Sequence, residues 1–327
     1  MVDIYNRKFC VAPMMGYTTP YARKLYRILS KKAFLFTEMI ASKSMIYSKN
    51  KDLIIENDDN NPVALQVGGS NYSDLKKCSE IAYSYNYDEI NLNVGCPSKA
   101  VQKGSFGACL MRDKVLVREC LESLQSTNIT TSIKCRIGLG KNFNYDFFEE
   151  FIDEVLKSGI KIVYVHARNA ILSGISPSQN RTVPPLNYEF VKKISEKYPN
   201  VLFVLNGGIE DLNRASSLLD DFKGVMLGRL IQNNPFILRK IDNLFFDDDN
   251  IKNVDENIIY DYFSYIEPKI RDESIFRLLS PLLSIFFGVP NSRIIKSEIN
   301  QHLKQKELKD IEKLLLKFVR ENNLLLN

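Results

Sequence analysis

The chain has 327 residues, 45% of them hydrophobic and 25% charged, with a formal net charge of +5, an ordinary globular composition with room for one large domain and a smaller one. No window of about 18 apolar residues occurs, and the stretch from Met1 to Lys8 has no apolar segment behind its charges, which argues against a membrane-spanning helix and a processed leader. Six cysteines form no CxxC pair and the two histidines, His166 and His302, are far apart, so neither a structural metal nor a secreted disulfide scaffold is expected, and a reducing cytoplasm is the natural compartment.

In chain order, short apolar runs recur at Lys8 to Pro13, Ala33 to Glu38, Val63 to Val67, Glu89 to Asn93, Ser132 to Arg136, Lys161 to His166, Val201 to Asn206 and Gly224 to Leu227. Their length and their content of Val, Ile and Phe predict strands. Between them, Ser73 to Tyr83, Leu116 to Leu124, Tyr145 to Lys157, Tyr188 to Lys197 and Leu212 to Leu219 have helical periodicity. Eight such units in about 240 residues match an α/β fold of the (β/α)8 TIM-barrel type. A doubly wound sheet is the alternative, but the turn after the first strand, Pro13-Met14-Met15-Gly16-Tyr17, lacks the glycine-rich phosphate fingerprint. Asp247-Asp248-Asp249-Asn250 then interrupts the pattern, and from about Val254 the chain reads as helices only, including Ser274 to Phe287 and Leu308 to Leu325. The expected division is a barrel over 1–245 and a small all-helical domain over 246–327.

Active sites of such barrels lie at the C-terminal strand ends. Those ends carry Ala12-Pro13-Met14, Thr37-Glu38-Met39, Gln66, Asn91 and Asn93, Lys134 and Arg136, His166 and Arg168, Asn206-Gly207-Gly208, and Gly228-Arg229. One or two could be satisfied core polar groups, but a full ring is hard to explain in that way. An amide such as Gln66 can donate to and accept from a heterocycle edge. Lys134 supplies a positive charge suited to a ring that becomes anionic on reduction; a salt bridge to Glu38 is its alternative. His166 could bond a cofactor or substrate, or be structural. The glycines at 207, 208 and 228 let backbone N–H groups approach a phosphate, with Arg229 as a bidentate cation.

Cys96 leaves the fourth strand between Gly95 and Pro97, in a stiff turn that would hold its thiol at the barrel mouth. The other five cysteines read as small buried hydrophobes. Neither histidine forms a local nucleophile signature with Cys96, although spatial pairing with His166 stays open.

These motifs resemble those of the tRNA-dihydrouridine synthases, nearly end to end. The matching residues are Ala12-Pro13-Met14, Gln66-Val67-Gly68-Gly69, Asn91-Leu92-Asn93-Val94-Gly95-Cys96-Pro97-Ser98, Lys134-Cys135-Arg136-Ile137-Gly138, His166-Ala167-Arg168, Asn206-Gly207-Gly208-Ile209 and Gly228-Arg229. The run from His166 through Leu186 resembles the bacterial subgroup acting on positions 20 and 20a of the tRNA D-loop. The resemblance implies bound FMN, NADPH as its reductant, and Pro13, Met14, Met15, Gln66, Lys134, His166, Asn206, Gly207, Gly208, Gly228 and Arg229 around the flavin. It also implies hydride delivery to C6 of uracil and protonation of C5 by Cys96, with Asn93 on the uracil edge.

A tRNA partner needs cations to neutralise phosphates, and a uridine must be turned out of its stack. Where relatives carry Pro-Gly-Ala-Arg and a further Arg, this chain has Pro290-Asn291-Ser292-Arg293 and Lys296; Lys lacks the planar fork. Arg293, Lys296 and Arg181 are the expected RNA contacts, while Lys306, Lys309, Lys313 and Lys317 share a helical face that could equally be solvated surface. A flavin barrel acting on a free pyrimidine, and a non-catalytic RNA-binding barrel, are the rival readings; the basic helical tail and the flavin-type strand ends, respectively, argue against them. No protein partner is evident, and a monomer is expected.

Overall fold

A computed structural model of the chain describes residues 7–49, 54–58, 60–248, 255–290, 292–305 and 307–326. Asp249, Asn250, Val254, Asn291 and Lys306, which entered the sequence reading, lie outside them. Two compact units divide the chain, the first formed by Met1–Pro20 with Phe34–Gly228 and the second by Tyr21–Ala33 with Arg229–Asn327. The expected boundary at 245/246 therefore runs through the second unit.

The first unit is built on β1 (Phe9–Val11), β2 (Leu35–Ala41), β3 (Val63–Gly68), β4 (Glu89–Val94), β5 (Thr130–Arg136), β6 (Ile162–His166), β7 (Leu202–Asn206) and β8 (Val225–Leu227). All pair in parallel in the order β1-β8-β7-β6-β5-β4-β3-β2. The ring closes just before β2, where Val11 N–H donates to the Phe34 carbonyl at 2.9 Å and Phe34 N–H to that of Phe9 at 3.0 Å. The (β/α)8 barrel expected from the strand spacing is the fold, and the eight apolar runs are its eight strands.

Successive side chains on a strand face opposite ways, and burial on both faces explains why the strands read as apolar runs. Cys10, Ala12, Phe34, Phe36, Ala64, Ile162, Tyr164, Leu202, Val204 and Met226 form one buried apolar cluster, contributed by the barrel wall on the side away from β4 and β5. On those two strands the alternate positions are Glu89, Asn91 and Asn93, and Ser132, Lys134 and Arg136.

Five helices that follow β3 to β7 begin at an Asn or Asp. The side chains of Asn71, Asp113, Asn144, Asn187 and Asp211 each accept the backbone N–H three residues on, satisfying one orphan donor and contributing about 1 kcal/mol per cap. These caps fix where each loop ends, and so how much chain remains to shape the barrel mouth.

In the second unit, helix Glu256–Ile266 buries Ile258, Ile259, Tyr262, Phe263 and Ile266, and Phe286 meets Phe318 edge-on at 4.7 Å. The single helix expected over Ser274 to Phe287 is a helix Ile275–Leu279 followed by a 3-10 segment Leu282–Phe286. Pro281 is the reason: it has no N–H and crowds the preceding turn. Helices Arg293–Gln305 and Leu308–Leu326 complete the unit. Among the described residues, no helix is long and apolar enough to cross a membrane.

Candidate active site

The polar strand ends meet at one end of the first unit. Register places Gln66 beside Asn91 and Asn91 beside Ser132, while Asn93 pairs with Lys134, Arg136 with His166, and His166 with Asn206. Gln66 Nε2 donates to Asn91 Oδ1 at 2.8 Å, and Gln66 Oε1 accepts from Asn93 Nδ2 at 2.8 Å. Asn91 Nδ2 donates to Ser132 Oγ at 2.6 Å, and Ser132 donates to Glu89 at 2.5 Å. Glu89 closes the barrel floor by pairing with Arg7 at 2.6 Å. Burial opposes the charge on Arg7, but Glu89 beside it raises the guanidinium above its ordinary value.

Asn93 also determines the path of the cysteine loop. Its Oδ1 accepts the N–H groups of Gly95 at 3.2 Å and Cys96 at 3.0 Å. The Cys96 carbonyl accepts Ala108 N–H at 2.9 Å. Gly107, at φ +79°, permits that return: a Cβ there would stand 2.6 Å from the same carbonyl oxygen. Cys96 is thus clamped from both sides and stays partly exposed, whereas Cys10, Cys78, Cys120 and Cys135 are buried; Cys109, expected to be buried with them, is half-buried, its thiol on the Phe106 carbonyl at 3.1 Å. Burial pushes the thiols of Cys78, Cys120 and Cys135 up to about 12, leaving them protonated and inert.

Lys134 Nζ donates to Asn206 Oδ1 at 3.0 Å, and Asn206 Nδ2 to the Met226 carbonyl at 2.7 Å. Burial, then the neighbouring Arg136, pushes the Lys134 ammonium down to about 8. The alternative pairing with Glu38 is not made; Glu38 instead accepts the Gly16 N–H and ties the Pro13-to-Tyr17 turn to β2. Met14 N–H donates to Thr18 Oγ1 at 3.0 Å within that turn, and Met15 is 66% exposed. Gly207 and Gly208 have φ of +113° and +68°. A Cβ on Gly207 would lie 2.6 Å from the His166 ring, and one on Gly208 would lie 2.3 Å from Leu186. Tyr188 OH donates to the Gly207 carbonyl at 2.5 Å and pins the turn. A Cβ on Gly228 would touch Met14 and Ala12 at ordinary contact distance.

Arg136 is assigned no role by its sequence, yet it joins two loops. Its Nε donates to the Gly95 carbonyl at 3.1 Å, and one Nη to the carbonyls of Asn169 at 3.1 Å and Asn180 at 2.9 Å. Burial lowers its value to about 10. The available signal was its place two residues after Lys134, on the same face of β5.

Gln66, Asn93, Cys96, Lys134, His166, Asn206, Gly207 and Gly228 therefore share one end of the barrel. Arg181 is exposed at the end of a 3-10 turn Gln179–Arg181. Arg229 opens helix Arg229–Asn233; Arg293 and Lys296 are exposed on helix Arg293–Gln305. In the second unit the ligand atoms of His302, Glu307 and Asp310 lie within 4.8 Å of one another, but His302 is bonded to Glu307 and Asp310 to Lys313.

The barrel is similar to an old yellow enzyme homologue from Zymomonas mobilis (TM-score 0.52, 12% identity, covering 77% of this chain and 92% of that one). It is equally similar to morphinone reductase (TM-score 0.52, 10% identity, 77% and 88%). At such identities the likeness concerns the fold alone. Sequence relatives called tRNA-dihydrouridine(20/20a) synthase include those of Shewanella oneidensis, 36% identical over 91% of this chain and 89% of theirs, and Yersinia pestis, 38% identical over 90% and 86%. That of Pasteurella multocida is 40% identical over 81% of each. The family model described as dihydrouridine synthase matches residues 10–322, and the chain belongs to the dihydrouridine synthase family.

Proposed function

We propose that this protein reduces uridine to 5,6-dihydrouridine at positions 20 and 20a of the tRNA D-loop, with bound FMN re-reduced by NADPH. The observation that carries the reading is Cys96: a cysteine clamped by its own backbone at the barrel mouth, partly exposed, next to a ring of polar strand ends.

The residues present fit a flavin. The turn at Gly207 and Gly208 has no room for side chains and leaves backbone edges for a phosphate. Gln66 offers an amide, His166 an imidazole, and Lys134 a cation next to Asn206, all from neighbouring strand ends. Pro13, Met14 and Met15 form the turn beside them, and Gly228 and Arg229 retain their sequence-based assignment to the phosphate end. Bound there, the flavin supplies the hydride that C6 of uracil gains.

The remaining work falls to the protein. Cys96 Sγ gives its proton to C5 and regains one from solvent, so each turnover adds one hydride and one proton across the double bond. Asn93 holds the loop through its Oδ1, and the amide proton that it does not give to Gln66 is its group for the uracil edge. Lys134, at about 8, keeps its charge at neutral pH and would stabilise negative charge on a flavin bound there. The barrel binds the cofactor, and residues 246–327, with Arg293 and Lys296, together with Arg181 from the barrel, grip the RNA.

The test is direct. Purified protein should be yellow, should release FMN on denaturation, and should form dihydrouridine at positions 20 and 20a in transfer RNA from a deletion strain, read by mass spectrometry. Colourless protein, or reduction of a free pyrimidine with transfer RNA left untouched, overturns the reading.

A further inference from the structure

The hydrogen bonds around Asn93 do not end at the barrel mouth. They form one uninterrupted line of side chains running the length of the barrel interior, from the Arg7–Glu89 pair on the floor through Ser132, Asn91 and Gln66 to Asn93 and the backbone of Cys96. Arg7, Glu89, Ser132, Asn91 and Gln66 are each 1% exposed or less, and Asn93 is 8% exposed.

The line has a direction. A carboxylate only accepts, so Ser132 must donate to Glu89. The Ser132 lone pair is then left to accept from Asn91 Nδ2, which turns Asn91 Oδ1 towards Gln66 Nε2. Gln66 Oε1 must in turn accept from Asn93 Nδ2, and Asn93 Oδ1 is left for the two backbone N–H groups of Gly95 and Cys96. The upper end imposes the same sense, because a reversed line would aim an amide NH2 at two N–H donors. A flipped amide would set donor against donor on one side and acceptor against acceptor on the other, and each unmade bond would leave a buried polar group unsatisfied.

We propose that Ser132 and Glu89 are positioning residues: the carboxylate on the barrel floor fixes which edge the Gln66 and Asn93 amides present, and so fixes the loop that holds the Cys96 thiol. The inference rests on the reading of Cys96 as proton donor. Ser132 and Glu89 act only through Asn91, Gln66 and Asn93.

Ser132→Ala interrupts the line without stranding a charge, and Ser132→Thr restores the hydroxyl. Two readouts on the flavin-loaded protein separate positioning from packing. Alkylation of Cys96 by iodoacetamide, followed on its peptide by mass spectrometry, should be about threefold to tenfold faster in Ser132→Ala as the loop loosens. With transfer RNA, kcat should fall about tenfold while KM and flavin content hold. Ser132→Thr should return both towards wild type. Wild-type alkylation and kcat in Ser132→Ala overturn the proposal, as does a Thr variant no better than Ala, which would mean a packing role only. If Ser132→Ala does not accumulate as folded protein, Asn91→Asp, which keeps the size but replaces a donor with an acceptor, is measured in the same way, with the same two results deciding. A wild-type protein that forms no dihydrouridine overturns the functional reading instead, and the alkylation comparison still tests the line.

Discussion

Two ion pairs of similar geometry show how differently the two units use charge. Arg7 and Glu89, in the barrel, are 1% and 0% exposed and meet at 2.6 Å. Arg320 and Glu256, in the helical unit, meet at 2.7 Å with 61% and 35% of their side chains exposed. The first pair is the anchored end of a buried hydrogen-bond line, where Ser132 and Tyr164 also donate to the Glu89 carboxylate and every member is shielded from solvent. The second belongs to a surface where Lys313 pairs with Asp310 and Lys317 with Glu321 one helical turn away, and solvent can substitute for any of them. Loss of one barrel polar group therefore interrupts a line of bonds, whereas loss of one of these helical-unit ion pairs leaves its members solvated.

The largest expected effect lies at the end of the buried line. Cys96→Ala should lower dihydrouridine formation by about a thousandfold, the range of a positioned general acid, while NADPH consumption in a single flavin reduction stays at the wild-type rate; an Ala variant with wild-type turnover removes the proton-donor role. Next, Arg7→Met should cost about 3–5 kcal/mol in urea unfolding by leaving Glu89 buried without its partner. Arg320→Ala should leave the unfolding midpoint where it is, and equal losses at both sites would break the comparison.

Gly207→Ala should cost about 1–3 kcal/mol through backbone strain and push the His166 ring aside. The flavin absorbance per protein should fall with it, and undiminished flavin loading would relocate the phosphate end. Lys134 gives a test with a definite sign. Its folded value of about 8 lies below its ordinary 10.5, so between those values the unfolded chain binds more protons, and stability should rise as pH climbs from about 8 to about 10.5. Lys134→Met should flatten that rise in thermal melts recorded across the window. The smallest effect belongs to the surface: Arg293→Ala with Lys296→Ala should weaken transfer RNA binding and reduce the slope of log affinity against log salt by about 1 to 2. An unchanged slope would place the RNA contact elsewhere.

The barrel was legible because burial on both strand faces writes itself as apolar runs, and because the last inward side chain of β3, β4, β5, β6 and β7 is polar. Gln66, Asn93, Lys134, His166 and Asn206 stood out for that reason. The helix Ser274 to Phe287 was misread because its periodicity continues across Pro281, which breaks the backbone without breaking the pattern. Arg136 and Ser132 were harder. Their meaning depends on carbonyls and amides contributed by distant segments, at Asn169 and Asn180 for the one and at Asn91 and Glu89 for the other.

From the sequence alone came the strand count, the helical tail, the family resemblance and the choice of Cys96 among six cysteines, since each is carried by residue type and local spacing. Tertiary structure decided what faces what. Asn93 proved to hold the Cys96 loop by its side-chain oxygen, Lys134 to pair with Asn206 and not Glu38, and Glu89 to anchor a line reaching from floor to mouth. Hydrogen bonds are directional and short, so they depend on register and barrel closure, which bring together strands that are far apart along the chain.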